Sequence, residues 1–174
     1  MDTAIPWQQL VRLGAYESPL KDWVLALKYH RQWHWGQWLG QAIGRGDAAF
    51  PDDRMTAICP VPMHWRRRWI RHYNQAMLIA RGICEHRPWP MLDLLVRHVH
   101  RPSQTHVAPA ARRENVRHCM KALPYDLRGW HIWLVDDVKT SGATLSQCAR
   151  LLQERGAESI HVAVACVANP RDHQ

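Results

Sequence analysis

The stretch Leu134-Val135-Asp136-Asp137-Val138-Lys139-Thr140-Ser141-Gly142-Ala143-Thr144-Leu145 decides how this chain folds. Ile132–Val135 reads as a short buried strand, and it delivers two adjacent carboxylates to the edge of a sheet. A loop of hydroxyl-bearing and small residues follows. Ser141–Thr144 then opens a helix whose apolar stripe is Leu145, Cys148, Ala149 and Leu152, with Gly156 closing it. Ile160–Val167 is almost continuously apolar, the pattern of a strand buried on both faces of a parallel sheet. Strand, helix, strand in this order predicts an open α/β sheet flanked by helices. Ligands bind such sheets beyond the carboxyl ends of the strands.

The loop has a chemistry of its own. Gly142 and Ala143 let a ligand approach the backbone. The free N–H groups at the helix start, with the hydroxyls of Thr140, Ser141 and Thr144, suit a phosphate. Asp136 and Asp137 do not suit a phosphate. They suit sugar hydroxyls, or a Mg²⁺ that the sugar also binds. The plainer alternative is a capped βα turn with two solvated aspartates. Acidic-acidic-x-x-Thr-Ser-Gly-x-Thr after a buried strand is far more specific than a lone glycine-rich loop. The Rossmann and Walker A patterns are both absent.

Outward from this centre, the alternation continues. Trp7–Tyr16 reads as a strand, and Leu20, Trp23, Val24 and Leu27 recur at helical spacing. Trp35, Trp38, Leu39, Ala42 and Ile43 repeat that spacing, with Gly44 and Gly46 expected to end the helix. Met55–Val61 is a compact apolar strand. Asn74 is placed to cap a helix with the stripe Ala76, Ile79, Ala80 and Ile83. Met91–Val99 reads as a further strand and Arg101–Arg112 as a loop.

Composition narrows the function classes. Apolar residues make up 47 % of the 174, which argues against disorder, and a single domain of ordinary size accounts for the length. The formal charge of +8 favours anionic partners without choosing among them. Five scattered cysteines with no CxxC pair argue against a zinc ribbon and a disulfide framework. Cys84, Cys148 and Cys166 are expected as buried thiols in a reducing cytoplasm. Most of the ten tryptophans are expected as core and interface bulk. Met1–Trp7 shows no signal peptide, and the longest apolar run, Val162–Ala168, is too short to span a bilayer. No membrane insertion is expected. His98 and His100 have no converging partners for a metal, and no GxSxG elbow is present.

The quoted stretch resembles the phosphoribosyl pyrophosphate (PRPP) motif of type I phosphoribosyltransferases. That motif is an apolar strand, two acidic residues, two apolar positions and a Thr/Ser-Gly-x-Thr loop. Lys139 stands at the second apolar position, so its side chain is expected to point toward ligand or solvent. The resemblance extends upstream. Pro60-Val61-Pro62, the Arg66–Arg71 cluster and Tyr73-Asn74-Gln75 are similar to the "PVP…R…RGFNQ" segment of the ComF/GntX family. Gln104 and Arg112-Arg113-Glu114-Asn115-Val116 resemble its second signature, and Tyr16–Tyr29 its opening segment. The likeness runs from about Trp7 to Val167. It implies a type I phosphoribosyltransferase fold with a small hood, residues 1–50 forming the hood and 51–174 the core.

The same resemblance implies a function and a site. PRPP would bind with Mg²⁺ near Asp136 and Asp137, and phosphoribosyl transfer would follow. Asp136, Asp137 and Arg71 would be catalytic, and Val138, Lys139, Thr140, Ser141, Gly142, Ala143 and Thr144 would hold the 5′-phosphate. Arg67, Arg68, Asn74, Gln75, Gln104, Arg112 and Arg113 would form the pyrophosphate and flexible loops. Read without the family, the Arg66–Arg71 cluster has two other interpretations. It suits a solvated basic turn, or a nucleic-acid patch with Trp65 and Trp69 as stacking faces. The family is linked to DNA uptake and DNA use. The alternative function is therefore a non-catalytic nucleotide-sensing or accessory domain that contacts single-stranded DNA or the uptake machinery. Two departures stand out. Family members carry an N-terminal zinc module of CxxC pairs, of which this sequence has none, so no protein-bound zinc is expected. His72 replaces the glycine of "RGFNQ" and is expected to force a different loop conformation.

Overall fold

The computed structural model describes residues 5–46, 55–63, 72–97 and 120–168. Along them run β1 (Gln9–Ala15), α1 (Leu20–Tyr29), α2 (His34–Arg45), β2 (Thr56–Pro60), α3 (Gln75–Cys84), β3 (Leu95–Arg97), β4 (Met120–Ala122), β5 (His131–Lys139), α4 (Ala143–Gln153) and β6 (Ser159–Val167). Four strands form a parallel sheet in the order β1-β6-β5-β2, and β3 pairs with β4 in a separate antiparallel ribbon.

Strand periodicity sends side chains to two cores. From β5, Ile132 and Leu134 enter one with Leu145, Cys148, Ala149 and Leu152 of α4. Trp133 and Val135 enter the other, with Ile79, Ala80 and Ile83 of α3, Leu39 and Ile43 of α2, and Val24 of α1. Fully burying an aliphatic side chain of this kind contributes about 1.5–3 kcal/mol. The apolar run Ile160–Val167 lies in β6, whose side chains enter both cores, which is why both of its faces are apolar. The N-terminal segment expected as a hood does two things. Its β1 extends the sheet beside β6, and its α1 reaches the carboxyl edge of the strands.

Several local expectations needed correction. β5 does not stop at Val135. Its ladder with β6 runs to Lys139↔Val167, so both aspartates and Lys139 belong to the strand. Backbone pairing continues there after the apolar pattern has ended. Gly44 does not end α2, which continues to Arg45. Trp38 (56 % exposed) and Ala42 lie off the buried face, which is Gly36, Leu39, Gly40, Ile43 and Gly44. The glycines counted as breakers are the contact surface. A Cβ on Gly40 would strike the Ile79 carbonyl and come within 2.9 Å of Gly82 Cα, so α2 and α3 touch backbone to backbone.

Among the described residues of the predicted Met91–Val99 strand, only Leu95–Arg97 is a β-strand, in the ribbon. Pro90 and Leu92 instead hydrogen-bond to Ile58 and cover the edge of β2, with Met91 bridging Ile58 in parallel. Trp89 and Trp133 are buried and stacked, but Trp33 and Trp38 are more than half exposed. Cys148 and Cys166 are buried, whereas Cys84 is only half-buried because it ends α3 at the surface. No helix among the described residues is long and apolar enough to cross a membrane.

Candidate functional site

A cleft of about 380 Å³ opens at the carboxyl ends of β2, β5 and β6. Asp136, Asp137 and Val138 reach it from β5, Thr140 from the following loop and Thr144 from the first turn of α4. Val61, Pro62 and Met63 after β2, and Asn74 and Gln75 at the start of α3, make the facing wall. Tyr16 and Lys28 come from the N-terminal segment, and Arg97 from the end of β3.

The loop after β5 is shaped by Gly142. It sits at φ +77°, a left-handed conformation that favours glycine, and is the N-cap of α4. A Cβ there would come within 3.3 Å of Lys139 Cε and 3.4 Å of Trp7 Cη2. The Lys139 side chain therefore lies across the loop. Ser141 Oγ accepts from the Ala143 amide at 3.4 Å, which leaves Thr140 and Thr144 as the hydroxyls lining the cleft. The first-turn amides of a helix lack intrahelical acceptors and favour an anion. Ala143 and Thr144 are exposed there.

The carboxylates are held in different ways. Asp136 Oδ1 accepts from the Asp137 amide at 2.8 Å. Asp137 Oδ1 lies 2.9 Å from Lys28 Nζ, the two side chains being 13 % and 18 % exposed. Lys28 is positioned from two sides, by α1 itself and by Tyr73, whose hydroxyl donates to the Leu27 carbonyl at 2.6 Å. Burial pushes the Tyr16 phenol upward, with the Lys28 charge opposing that shift. Burial also pushes the Cys166 thiol up to about 11, again against Lys28. The Asp137 contact and the cleft lining put the Lys28 ammonium in this wall. The described cleft lining thus carries two cations, Lys28 and Arg97, against two carboxylates.

Asn74 caps α3 as expected, accepting from the Ala76 amide at 3.1 Å. Its Nδ2 also donates to the Val61 carbonyl at 3.0 Å, so its amide braces the wall. Gln75 is 1 % exposed and lines the cleft. His72 adopts φ +64°, in the left-handed region that glycine favours, and the loop before it lies outside the described residues.

Two site residues were missed in the sequence. Lys28 stood inside the opening segment as Leu27-Lys28-Tyr29, and a lone cation after an apolar stripe was the available signal. Arg97 lay inside the predicted strand Met91–Val99, with no motif around it to mark a site. Its Nε is buried with no hydrogen-bond partner among the described residues, at the cleft wall. Arg67, Arg68, Arg71, Gln104, Arg112 and Arg113 lie outside the described residues, as do Trp65, Trp69, His98 and His100.

The donor set fits Mg²⁺ carried by a phosphorylated ligand. Mg²⁺ takes hard oxygen donors, one or two carboxylates beside substrate phosphates, and Asp136 and Asp137 supply carboxylates at one strand end. No group of three or more His, Cys, Asp or Glu that could hold a metal occurs among the described residues.

Known proteins resemble this chain in sequence and in fold. Residues 78–173 match the family model described as the phosphoribosyl transferase domain. The chain is 30 % identical over 171 residues to competence protein F of Haemophilus influenzae, covering 90 % of this chain and 71 % of that protein. It is 28 % identical over 170 residues to the DNA utilization protein YhgH of Escherichia coli K12, covering 92 % and 73 %. Among solved structures it resembles the glutamine PRPP amidotransferase of B. subtilis, with a TM-score of 0.51 and 21 % identity. An allosteric regulatory enzyme of purine biosynthesis gives a TM-score of 0.52 at 22 % identity. Each structural match covers 74 % of this chain but only 25 % of the other, and shows the type I phosphoribosyltransferase fold.

Proposed function

Because the chain belongs to the phosphoribosyl transferase domain family, together with competence protein F, we propose that its cleft binds PRPP with Mg²⁺ and transfers the phosphoribosyl group. One observation carries this reading. Two carboxylates and a hydroxyl-lined helix start face a single cleft from one strand–loop–helix unit. That pairing suits a phosphorylated sugar.

The reaction is displacement at the anomeric carbon, with pyrophosphate leaving. Asp136 and Asp137 hold the ribose hydroxyls. Thr140, Thr144 and the first-turn amides of α4 anchor the 5′-phosphate, which fixes the orientation of the ring. Arg71 takes its role from the family motif alone, as the cation that neutralises the developing charge of the leaving pyrophosphate. Asp136 and Asp137 would hold a Mg²⁺ that arrives with the ligand, and the metal would supply further charge neutralisation. The relatives' names refer to competence and DNA utilization, and we place the activity in that context, in the cytoplasm.

A second reading has its own observation. Trp33 and Trp38 are 57 % and 56 % exposed, close to His30 and Arg31 in sequence, and offer stacking faces to single-stranded DNA. A non-catalytic accessory domain would use such a surface. Pyrophosphate release from PRPP with a panel of nucleobases, beside a DNA gel shift across salt, separates the two. Turnover supports transfer, whereas steeply salt-dependent DNA binding without turnover supports the accessory domain.

A further inference from the structure

The Lys28–Asp137 contact bears on how the cleft is loaded, an inference that rests on the phosphoribosyl reading of that site. A carboxylate that is to meet a divalent cation faces an ammonium at 2.9 Å instead. Both side chains are mostly shielded from water, so screening is weaker than at a surface pair. The ammonium is not a wandering surface charge. Tyr73 fixes the carbonyl of the preceding residue, and the Tyr16 and Cys166 side chains lie near enough to feel its charge. A bare dication arriving at Asp137 would have to displace Lys28 and would meet its repulsion. A phosphate oxygen arriving with the metal changes that balance, because an ammonium that loses a carboxylate then gains a phosphate, a charge-assisted contact of similar strength.

We propose that Lys28 is a ligand-binding residue that occupies Asp137 in the empty cleft and passes to a phosphate group when a metal–phosphate complex binds. Free divalent metal is then a poor ligand, and the metal enters with its phosphate. Lys28 excludes the metal from an empty site and holds the anion in a filled one. Arg97, whose Nε has no partner among the described residues at the same cleft, is the second cation available to that anion.

The probes are Mn²⁺ alone, followed by the paramagnetic signal of the free ion, and metal-free pyrophosphate, followed by calorimetry. Lys28→Met keeps the length of the side chain and removes its charge, and Lys28→Arg keeps the charge. In Lys28→Met, Mn²⁺ should bind roughly tenfold more tightly and pyrophosphate roughly tenfold more weakly, the scale of one charged contact. Lys28→Arg should stay near wild type in both. Unchanged or weaker Mn²⁺ binding in Lys28→Met overturns the proposal, as does unchanged pyrophosphate binding. Wild type supplies a measurement that needs no variant: in equilibrium dialysis at a fixed free Mn²⁺ concentration, pyrophosphate should increase the Mn²⁺ retained with the protein, and independent binding of the two overturns the handover. PRPP appears in none of these arms. A failure of PRPP to bind would therefore count against the phosphoribosyl reading without being confused with a failure of Lys28.

Discussion

Asn74 and Val61 are joined by a single hydrogen bond of 3.0 Å, from the side-chain Nδ2 to the main-chain carbonyl. With its Oδ1, the same side chain caps α3 through the Ala76 amide. One residue thus ties the end of β2 to the start of α3, and both line the cleft. Asn74→Ala removes both bonds and should cost about 1–2 kcal/mol in urea unfolding. Asn74→Asp keeps the cap but loses the donor, so it should fall between. Equal stability of all three proteins would mean that the brace contributes nothing.

Gly82 faces Gly40 across the α2–α3 contact. A Cβ on Gly82 would strike the Gln37 carbonyl and approach the Gln41 amide nitrogen to 2.8 Å, both backbone atoms that cannot swing aside. Gly82→Ala should therefore lose at least about 1–3 kcal/mol by overpacking. Gly46→Ala is the control. Gly46 has φ −59°, and its added methyl would meet the Ile43 and Ala42 carbonyls only at 3.3 and 3.8 Å, so its loss should be small. Matching melting temperatures for the two variants would contradict the close crossing.

Much of the fold was legible because its signals are local. Ile160–Val167 announced a fully buried strand, and Ala76, Ile79, Ala80 and Ile83 announced the face of α3. The α2 face was misread because glycine carries no hydrophobic signal. Its value at Gly40 appears only once Gly82 is opposite. The end of β5 was misread for a similar reason, since Asp136–Lys139 is held by pairing with β6 rather than by its own apolarity. At the site, the Asp136-Asp137 pair and the Gly142 loop were legible as a motif. Lys28 and Arg97 were not, because α1 and β3 deliver them from distant parts of the chain.

His72 tests the left-handed turn before α3. Histidine tolerates φ +64° better than most residues but still bears strain there. His72→Gly should be neutral or stabilising by up to about 1 kcal/mol, the relief of strain offsetting the entropy of the unfolded chain. His72→Val should destabilise, because a β-branched residue resists that φ. A Gly variant less stable than the Val variant would mean that the side chain of His72 matters more than its backbone.

Buried thiols make the protein sensitive to alkali. Burial pushes Cys59 up to about 12 and Cys166 up to about 11, from an ordinary value of 9.0. Cys148 is raised as well, by burial first and then by Cys59 and Asp136. A raised thiol leaves stability intact below pH 9, where both states keep the proton. Above pH 9 the unfolded chain ionises first, so stability falls until the folded thiol also titrates. Urea unfolding should show this loss between pH 9 and 12, and Cys148→Ala should make it shallower. A flat profile over that range would remove the effect.

The central claim is that Asp136, Asp137 and the Thr140–Thr144 loop read a phosphoribosyl ligand. Thermal unfolding with PRPP and Mg²⁺ together, compared with each alone, tests it most directly for wild type and Asp137→Asn. A ligand bound only by the folded state raises its stability, by about 2.7 kcal/mol at a hundred times its Kd. Wild type should melt higher with the pair than with either component. Asp137→Asn should remain folded yet lose most of that increase, since a charged contact of about 1.5–3 kcal/mol is gone. No increase for wild type at millimolar PRPP and Mg²⁺ would contradict the account.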